Sequence, residues 1–359
     1  MLKRSPFLPF FALLALWIAL SVTVAAERPA MVEFQWAGQT MQGLQLINVP
    51  ERTVVLGQDG WLHDTVDKTK PENLRRIDAG FTPASVAEVR GQLLSEFGRD
   101  YEVVATTHYL VVQPRGRGQR WPKHFEELYR QFIRHMELRG IQIRSGRFPL
   151  VAVVLPDRQA MQDQFQKLGI QISNVAGVYH LASNRVMMHE NGYAEYIAET
   201  IRHETAHQAA YNTGVHSRVS VTPQWLVEGI GSLFEPAKMG ASRENRSTRD
   251  RVHANYARQF QKRYQDSESL LQAIRQLVSD DTAFKDPDQI ADAYCLSWAM
   301  VFYLSEARPE SFRAAVQQTS TGPPFRVYPR SHRIRDFQAW VGGDIERFTI
   351  DLQRYVRAL

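Results

Sequence analysis

Cysteine is almost absent from this chain of 359 residues, in which Cys295 is the only one. No disulfide can form within the chain, so packing alone must hold the core together, which a chain of this length allows. The same scarcity excludes a zinc site built from thiolates. Any metal ion would therefore have to be held by histidine, aspartate or glutamate side chains.

A large net charge is also missing. The sequence has 43 Lys and Arg residues against 38 Asp and Glu residues, and without Lys3 and Arg4 the basic count falls to 41. This balance argues against a dedicated nucleic-acid-binding protein. Two stretches do combine arginine with aromatic residues, PRGRGQRW at 114–121 and FRVYPRSHRIR at 325–335. We expect both to be solvated loops rather than sites for polyanions.

Long hydrophobic runs are missing too, with one exception at the start of the sequence. Residues 7–24 carry no charge, follow two basic residues and lead to small residues before position 27. This layout is typical of a secretory signal peptide, which we place at 1–26, and it predicts an exported protein, periplasmic or secreted. The alternative is an uncleaved segment that anchors the protein in a membrane. After cleavage we expect no stable membrane span.

Two regions follow, separated by a Gly-, Pro- and Arg-rich stretch. We predict an N-terminal accessory α+β module at 27–115, because short strand-like segments precede a helical pattern and a further strand-like stretch. The second predicted domain, 116–359, has strands before its central helix and helices after it, which indicates an α+β fold. The expected strands include two around the turn at 182–184. The expected helices lie at 193–213, from Thr222-Pro223 onward, and at 249–278, 289–306, 309–319 and 344–358.

The central helix carries two histidines four residues apart, in RHETAHQAAYNTG at 202–214. At this spacing the imidazoles of His203 and His207 project from one face, about one turn apart, and can share a tetrahedral ion. Glu204 comes one residue further round the helix, where it could take a proton from a zinc-bound water. Because the H-E-x-x-H string is short enough to arise by chance, its context has to decide.

A third ligand could come from two positions. A histidine six residues after His207 would complete a three-histidine site, but that position is Thr213. Glu228 lies in the mostly apolar TPQWLVEGIGSLFE at 222–235, where an unpaired acid is costly to bury. Two glycines beside it would allow close approach to the histidine helix. We therefore predict Glu228 as the third ligand, and Glu235 as an alternative ligand or, preferably, a helix-end or supporting acid.

H-E-x-x-H, a spacer of about twenty residues and W-L-x-E-G together resemble the gluzincin zinc metallopeptidases of the peptidase MA-like superfamily. The segments FGRDYEVVATTHYLVV, LYRQFIRHMELRG and GVYHLASNRVMM look most similar to exported bacterial proteins of the domain-of-unknown-function 1570 type. The resemblance covers about 80–310 and is most specific at 203–229. It implies a zincin-like metalloprotease domain, about one Zn²⁺ per chain and a peptide or protein substrate.

The resemblance also implies roles for individual residues. They are the zinc ligands His203, His207 and Glu228, the general base Glu204, and a substrate-pairing edge strand around Gly177, Val178 and Tyr179. Tyr294, on a later helix, is a candidate donor to the oxyanion of the tetrahedral intermediate, with a core aromatic as the alternative. His216 is a second candidate donor, for which we prefer a solvent-facing position.

Two features of those families are missing here. The G-A-M-E-N exopeptidase signature of the aminopeptidase N group is absent, so nothing supports recognition of a substrate's amino terminus. Thermolysin-like enzymes carry an acidic residue four positions after the ligand glutamate, and here that position is Ser232. Another group must then support a zinc histidine. Glu199, one turn before His203, could substitute, or it could be a solvated charge.

The sequence thus predicts an exported zinc metallopeptidase that hydrolyses peptide bonds and has no nucleic-acid partner. One alternative is a non-catalytic zinc-binding protein of the cell envelope that retains the fold in a structural or binding role. A structural site needs no Glu204, which favours the enzyme. The other alternative is a zinc amidase that acts on cell-wall material.

Overall fold

The computed structural model of the protein describes residues 29–36, 38–49, 52–65, 72–170, 175–191, 194–237 and 248–359. The predicted signal peptide at 1–26 lies outside these residues. Among the residues described, no helix is both long enough and apolar enough to cross a membrane. Strands dominate the first part of the described chain and helices the second, so the α+β class is confirmed.

The first sheet consists of five antiparallel strands near the start of the described chain. In chain order they are β1 (Ala30–Trp36), β2 (Gln39–Val49), β3 (Arg52–Gly57), β4 (Leu62–Asp64) and β5 (Glu72–Arg76). Their order across the sheet is β4-β3-β2-β1-β5. The sheet has its own small core around Val32, Phe34 and Val55. We call residues 30–76 the N-terminal module.

The second sheet carries the strand beside the candidate site. Its strands are β6 (Tyr101–Ala105), β7 (Tyr109–Pro114), β8 (Leu150–Leu155), β9 (Gly177–His180) and β10 (Arg185–His189), in the order β6-β7-β8-β10-β9. The three central strands are parallel, and the two edge strands run antiparallel to their neighbours. Every residue of β8 is buried, as expected for a parallel strand covered on both faces. The two strands predicted around the turn at 182–184 are confirmed.

The domain boundary predicted at 115 falls within the second sheet, so it does not separate two domains. β7 precedes that position, yet it pairs with β8 from Tyr109 opposite Leu150 to Val112 opposite Val153. The helix α1 (Val86–Phe97) also packs against this sheet. The N-terminal module is therefore all-β and ends near Arg76, and the helix assigned to it belongs to the larger body.

In the described part of the chain, ten further α-helices surround and follow the second sheet. They are α2 (Arg120–Glu137), α3 (Arg158–Lys167), α4 (Ala194–Thr213), α5 (Gln224–Leu233), α6 (Ala254–Arg263), α7 (Ser267–Ser279), α8 (Ile290–Ala307), α9 (Pro309–Ser320), α10 (Arg330–Val341) and α11 (Ile345–Arg357). α4 lies at the junction of the two halves, because it contacts β9 and β10 on one side and α5 on the other. α5 in turn packs along α8, so the main core continues from the sheet into the helices.

Two predictions for the helical half were wrong. The single helix expected at 249–278 is divided into α6 and α7, which have their own N-caps, His253 and Asp266. The stretch 325–335, expected to be a solvated loop, contains the start of α10, and Arg333 is buried there. The sequence does not indicate this helix, because its arginines have the pattern of solvated charges. The carboxylate that pairs with Arg333 belongs to Asp281, far away in the sequence.

Candidate metal centre

α4 and α5 position the candidate ligands. α4 ends where Gly214 adopts the left-handed conformation, with φ of +82°. Ile197, Ile201 and Ala206 of this helix are buried in the core. This orientation leaves His203 and His207 aligned toward α5, because residues four apart share one helix face.

His203, His207 and Glu228 converge in a buried cluster, which we call the triad. His207 Nε2 lies 2.8 Å from His203 Nε2, and Glu228 Oε2 lies 3.2 Å and 3.5 Å from the Nε2 atoms of His203 and His207. In a tetrahedral zinc site with bonds of about 2.0–2.1 Å, ligand atoms are about 3.3 Å apart. The triad could therefore hold one metal ion, and its two nitrogens and one oxygen suit a first-row divalent cation.

A hydrogen-bonded chain determines which nitrogen of His203 faces the triad. His203 Nδ1 lies 2.8 Å from Glu235 Oε1, and Glu235 Oε2 lies 2.8 Å from His253 Nε2. His253 Nδ1 accepts the backbone N–H of Tyr256 at 3.3 Å, so a proton of His253 must face Glu235 from Nε2. With its Nδ1–H directed at a carboxylate, His203 has Nε2 free for a metal ion.

Glu235 thus takes the supporting role for which the sequence also offered Glu199. Both carboxylate oxygens of Glu235 are engaged by histidines, so the alternative in which Glu235 is itself a ligand is not supported. Glu199 lines the cleft beside the triad, as Glu235 does, and burial raises the pKa of Glu199. It is therefore a separate acidic group of the cleft wall.

Burial of the triad disfavours the charged forms of its carboxylate and of its imidazoles. Burial alone would raise the pKa of Glu228, but the charge of His207 and hydrogen bonds from both histidines hold it well below its usual value. Burial likewise disfavours protonation of His203, yet hydrogen bonds with Glu228 and Glu235 raise its pKa well above its usual value. A proton and a metal ion therefore compete for the same nitrogen.

Gly231 allows α5 to lie directly against both imidazoles. A Cβ atom built on Gly231 would lie 2.7 Å from His203 Cε1 and 2.9 Å from His207 Cε1, closer than carbon atoms approach without a bond. Gly229 faces the opposite way, and its Cβ would lie 2.4 Å from Val301 Cγ2 on α8. Both glycines were expected to allow close approach to the histidine helix. Of the two, Gly231 is the one that does so.

The second oxygen of Glu228 is held from the first turn of α5. Gln224 Nε2 donates to Glu228 Oε1 at 2.8 Å, and the backbone N–H of Gln224 donates to Asp281 Oδ1 at 2.9 Å. Arg333 donates to both oxygens of Asp281, at 2.7 Å and 2.8 Å. The sequence does not predict this support, since only tertiary structure brings these four residues together.

Glu204 is directed toward the edge strand β9. Its Oε2 accepts the backbone N–H of Tyr179 at 2.7 Å. In an antiparallel pair the N–H and C=O of one residue face the same side and alternate residues face opposite sides, so Tyr179 and Gly177 present their main-chain groups to the outer edge. Ala176 fits this alternation, because its carbonyl accepts from His189 at the end of β10. β9 therefore offers main-chain groups to the space beside Glu204.

An open cleft of about 500 Å³ gives access to these groups and is lined by Gly177, His203, Glu204 and Tyr294. The ring centroid of Tyr294 lies 6.3 Å from that of His203. Burial, reinforced by the charges of Glu228 and Glu204, raises the pKa of Tyr294, so its hydroxyl stays protonated. Tyr294 thus lines the cleft with a protonated hydroxyl, and its role as a donor to the oxyanion stays a prediction.

His216, the second candidate donor, is buried, and the expected solvent-facing position is wrong. Its side chain packs beside Tyr211, with ring centroids 5.1 Å apart, and the residue is 1% exposed. Burial lowers the pKa of His216 to about 3, so the imidazole is neutral. It is not part of the cleft lining described above.

Residues 197–326 match a protein family described as "Protein of unknown function (DUF1570)". The predicted likeness to this family is confirmed over 197–326. The three segments on which it was predicted, FGRDYEVVATTHYLVV, LYRQFIRHMELRG and GVYHLASNRVMM, lie before the matching residues. The matching segment begins in α4 and includes the triad, Glu204, Glu235 and Tyr294. No curated protein matches the chain.

Proposed function

We propose that this protein is a zinc-dependent metallopeptidase with a zincin-like fold of the gluzincin type. The observation that carries the proposal is a buried His-His-Glu triad beside a further carboxylate, Glu204, that is hydrogen-bonded to the edge strand of an open cleft. Structural zinc sites usually have four protein ligands and need neither an additional acid nor a cleft. This combination favours catalysis over the alternative of a non-catalytic envelope protein.

The residues that would hold the zinc ion are His203, His207 and Glu228, through Nε2, Nε2 and Oε2. When bound, zinc supplies Lewis-acid chemistry by polarising a substrate carbonyl and lowering the pKa of water. Glu235 supports this by keeping His203 in the tautomer with Nε2 free. The proposed location, periplasmic or secreted, rests on the N-terminal sequence pattern.

Glu204 is the proposed general base. Burial raises the pKa of its carboxyl, while the charges of His203 and His207 oppose this shift. A carboxylate with a raised pKa is suited to accept a proton from the attacking water and to return it to the leaving amine near neutral pH. The N–H of Tyr179 orients one oxygen of Glu204, so the other is available for that proton.

An extended peptide would lie along the outer edge of β9. Gly177 offers its N–H and C=O there and Tyr179 its C=O, while the N–H of Tyr179 donates to Glu204. Pairing with main-chain groups is how sheet edges recognise peptides of varied sequence. The hydroxyl of Tyr294 would donate to the oxyanion that develops on the attacked carbonyl. Pairing with a continuous backbone supports a peptide substrate over the non-peptide amides of cell-wall material.

Digestion of a peptide library by the purified protein tests the proposal. We expect the zinc-loaded wild type to cleave peptides and Glu204→Gln to keep its zinc while losing about 10²–10⁴-fold in rate. Glu195→Gln is the control, because it removes a carboxylate from an exposed position on the same helix, where it pairs with Arg202. Full activity in Glu204→Gln would remove this residue from the mechanism. Cleavage of cell-wall amides without any peptide cleavage would favour the amidase.

A further inference from the structure

The N-terminal module meets the rest of the protein at the turn that joins β9 to β10. Leu62 of β4 donates its backbone N–H to Ala182 O in that turn, at 2.8 Å. The guanidinium of Arg185, the first residue of β10, stacks over the ring of Trp61 at 5.1 Å from the centroid. Gly60 packs so closely that a Cβ there would lie 2.9 Å from the ring of Phe148. The module therefore contacts the β9–β10 hairpin directly.

Arg218, in the segment between α4 and α5, joins three parts of the chain at this turn. Its Nη2 donates to Leu181 O at 2.7 Å and to Ala182 O at 3.0 Å, both in the turn. Its Nη1 donates to Gly60 O of the module at 2.8 Å. The planar guanidinium makes this possible, because it presents five N–H donors in a fixed arrangement.

The turn held in this way is directly connected to the groups that face the cleft. β9 has only four residues and lies at the edge of its sheet, so β10 alone pairs with it among the described strands. Tyr179 of β9 donates its backbone N–H to Glu204 and its hydroxyl to Asn184 Oδ1 in the turn, at 2.9 Å. A displaced turn would therefore shift the strand edge relative to Glu204.

We propose that the N-terminal module and Arg218 form a brace that fixes β9 beside the metal centre. Arg218 is then a positioning residue, since it is absent from the cleft lining and acts through the hairpin. The proposal rests on the proposed function in one respect, the pairing of a peptide substrate with β9. It gives the module a role in holding the substrate-binding edge.

Two variants test the brace from its two sides, Arg218→Met and Trp61→Leu. Arg75→Met is the control, because Arg75 is an exposed arginine that pairs with Glu33 inside the module. For a peptide identified in the library digestion, we expect KM to rise about tenfold in both test variants with zinc content unchanged. We expect kcat to fall as well, but by less than KM rises, because β9 also orients Glu204 through the N–H of Tyr179. We also expect the segment 175–184 to take up deuterium faster in both test variants than in wild type or control.

Unchanged KM and deuterium uptake in both variants would overturn the brace. A loss of zinc in both test variants would also overturn it, because Arg218 and Trp61 would then support the fold in general rather than β9. A wild type that cleaves no peptide contradicts the proposed function instead. In that case the deuterium uptake of 175–184 still decides whether the module holds β9.

Discussion

Gly231 lies where both imidazoles of the triad press against α5, and a side chain there would meet them at less than van der Waals distance. Gly231→Ala should therefore displace His203 or His207 and weaken zinc binding at least about tenfold in a chelator competition. Gly91→Ala is a matched control, because nothing lies within 4 Å of a Cβ at that helical position. The control should bind zinc normally and gain slightly in stability, since alanine favours helix. Equal zinc affinity in the two variants would contradict the packing described.

Glu235 is the acid whose charge holds His203 in position for a metal ion. Glu235→Gln keeps the shape but replaces a charge-assisted hydrogen bond, so we expect zinc affinity to fall about 10–100-fold. Glu199→Gln removes a neighbouring carboxylate that is not bonded to the triad, and it should leave zinc affinity unchanged. A similar loss in both variants would mean that the total negative charge matters rather than the bond to His203.

The sequence predicts these residues to different degrees. His203 and His207 share a helix face by spacing alone, and the cost of burying Glu228 among apolar neighbours indicates its pairing with them. Spacing could not decide between Glu199 and Glu235 as the supporting acid. The deciding contact is between Glu235 and His203 Nδ1, and it forms only in the tertiary structure. His253, which caps α6, holds the other oxygen of Glu235.

At the scale of elements, α5 begins without a cap from its own sequence. The sequence places a helix from Thr222-Pro223 onward, and Thr222 is a residue type that often caps helices. The N-cap residue is nevertheless Pro223, which makes no side-chain cap bond. Asp281 accepts the N–H of Gln224 instead, which places a negative charge at the positive end of the helix. Arg333 of α10 pairs with that carboxylate.

Removing this distant cap should weaken both the helix and the site. Arg333→Met removes the two charge-assisted hydrogen bonds that hold Asp281 at the start of α5, so we expect the free energy of unfolding to fall by about 1–3 kcal/mol in urea denaturation. We also expect weaker zinc binding, because Gln224 positions Glu228. Arg335→Met, on the exposed side of α10, is the control and should change stability by less than about 0.5 kcal/mol. Equal urea midpoints for the two variants would refute the role of the cap.

Elements were predictable where their pattern is local. β8 is apolar at every position, and α4 and its terminal glycine follow from periodicity. The pairing of β7 with β8 could not be derived, because parallel neighbours are joined through a long crossover and leave no local signal. α10 was missed because Arg333 resembles a solvated charge until Asp281 is known to lie beside it.

In the whole molecule, each part contributes something different to the candidate site. The second sheet provides the strand edge, and α4 and α5 provide the triad and Glu204. The N-cap of α6 contributes His253, and α8 contributes Tyr294. The α+β class followed from strands preceding helices in the sequence. The extent of the N-terminal module could not be predicted from the sequence. The hairpin of β6 and β7 precedes the predicted boundary, but β7 pairs with β8, which follows that boundary.

The metal content of the purified protein is the most direct test of the central claim, that the triad holds a zinc ion. Elemental analysis after loading and desalting should find about one zinc per chain in the wild type. The double variant His203→Ala/His207→Ala should retain none, and chelation should lower the melting temperature of the wild type only, because a bound ion stabilises the folded state. A wild-type protein that binds no zinc, or a double variant that binds as much, would contradict the assignment of the metal centre.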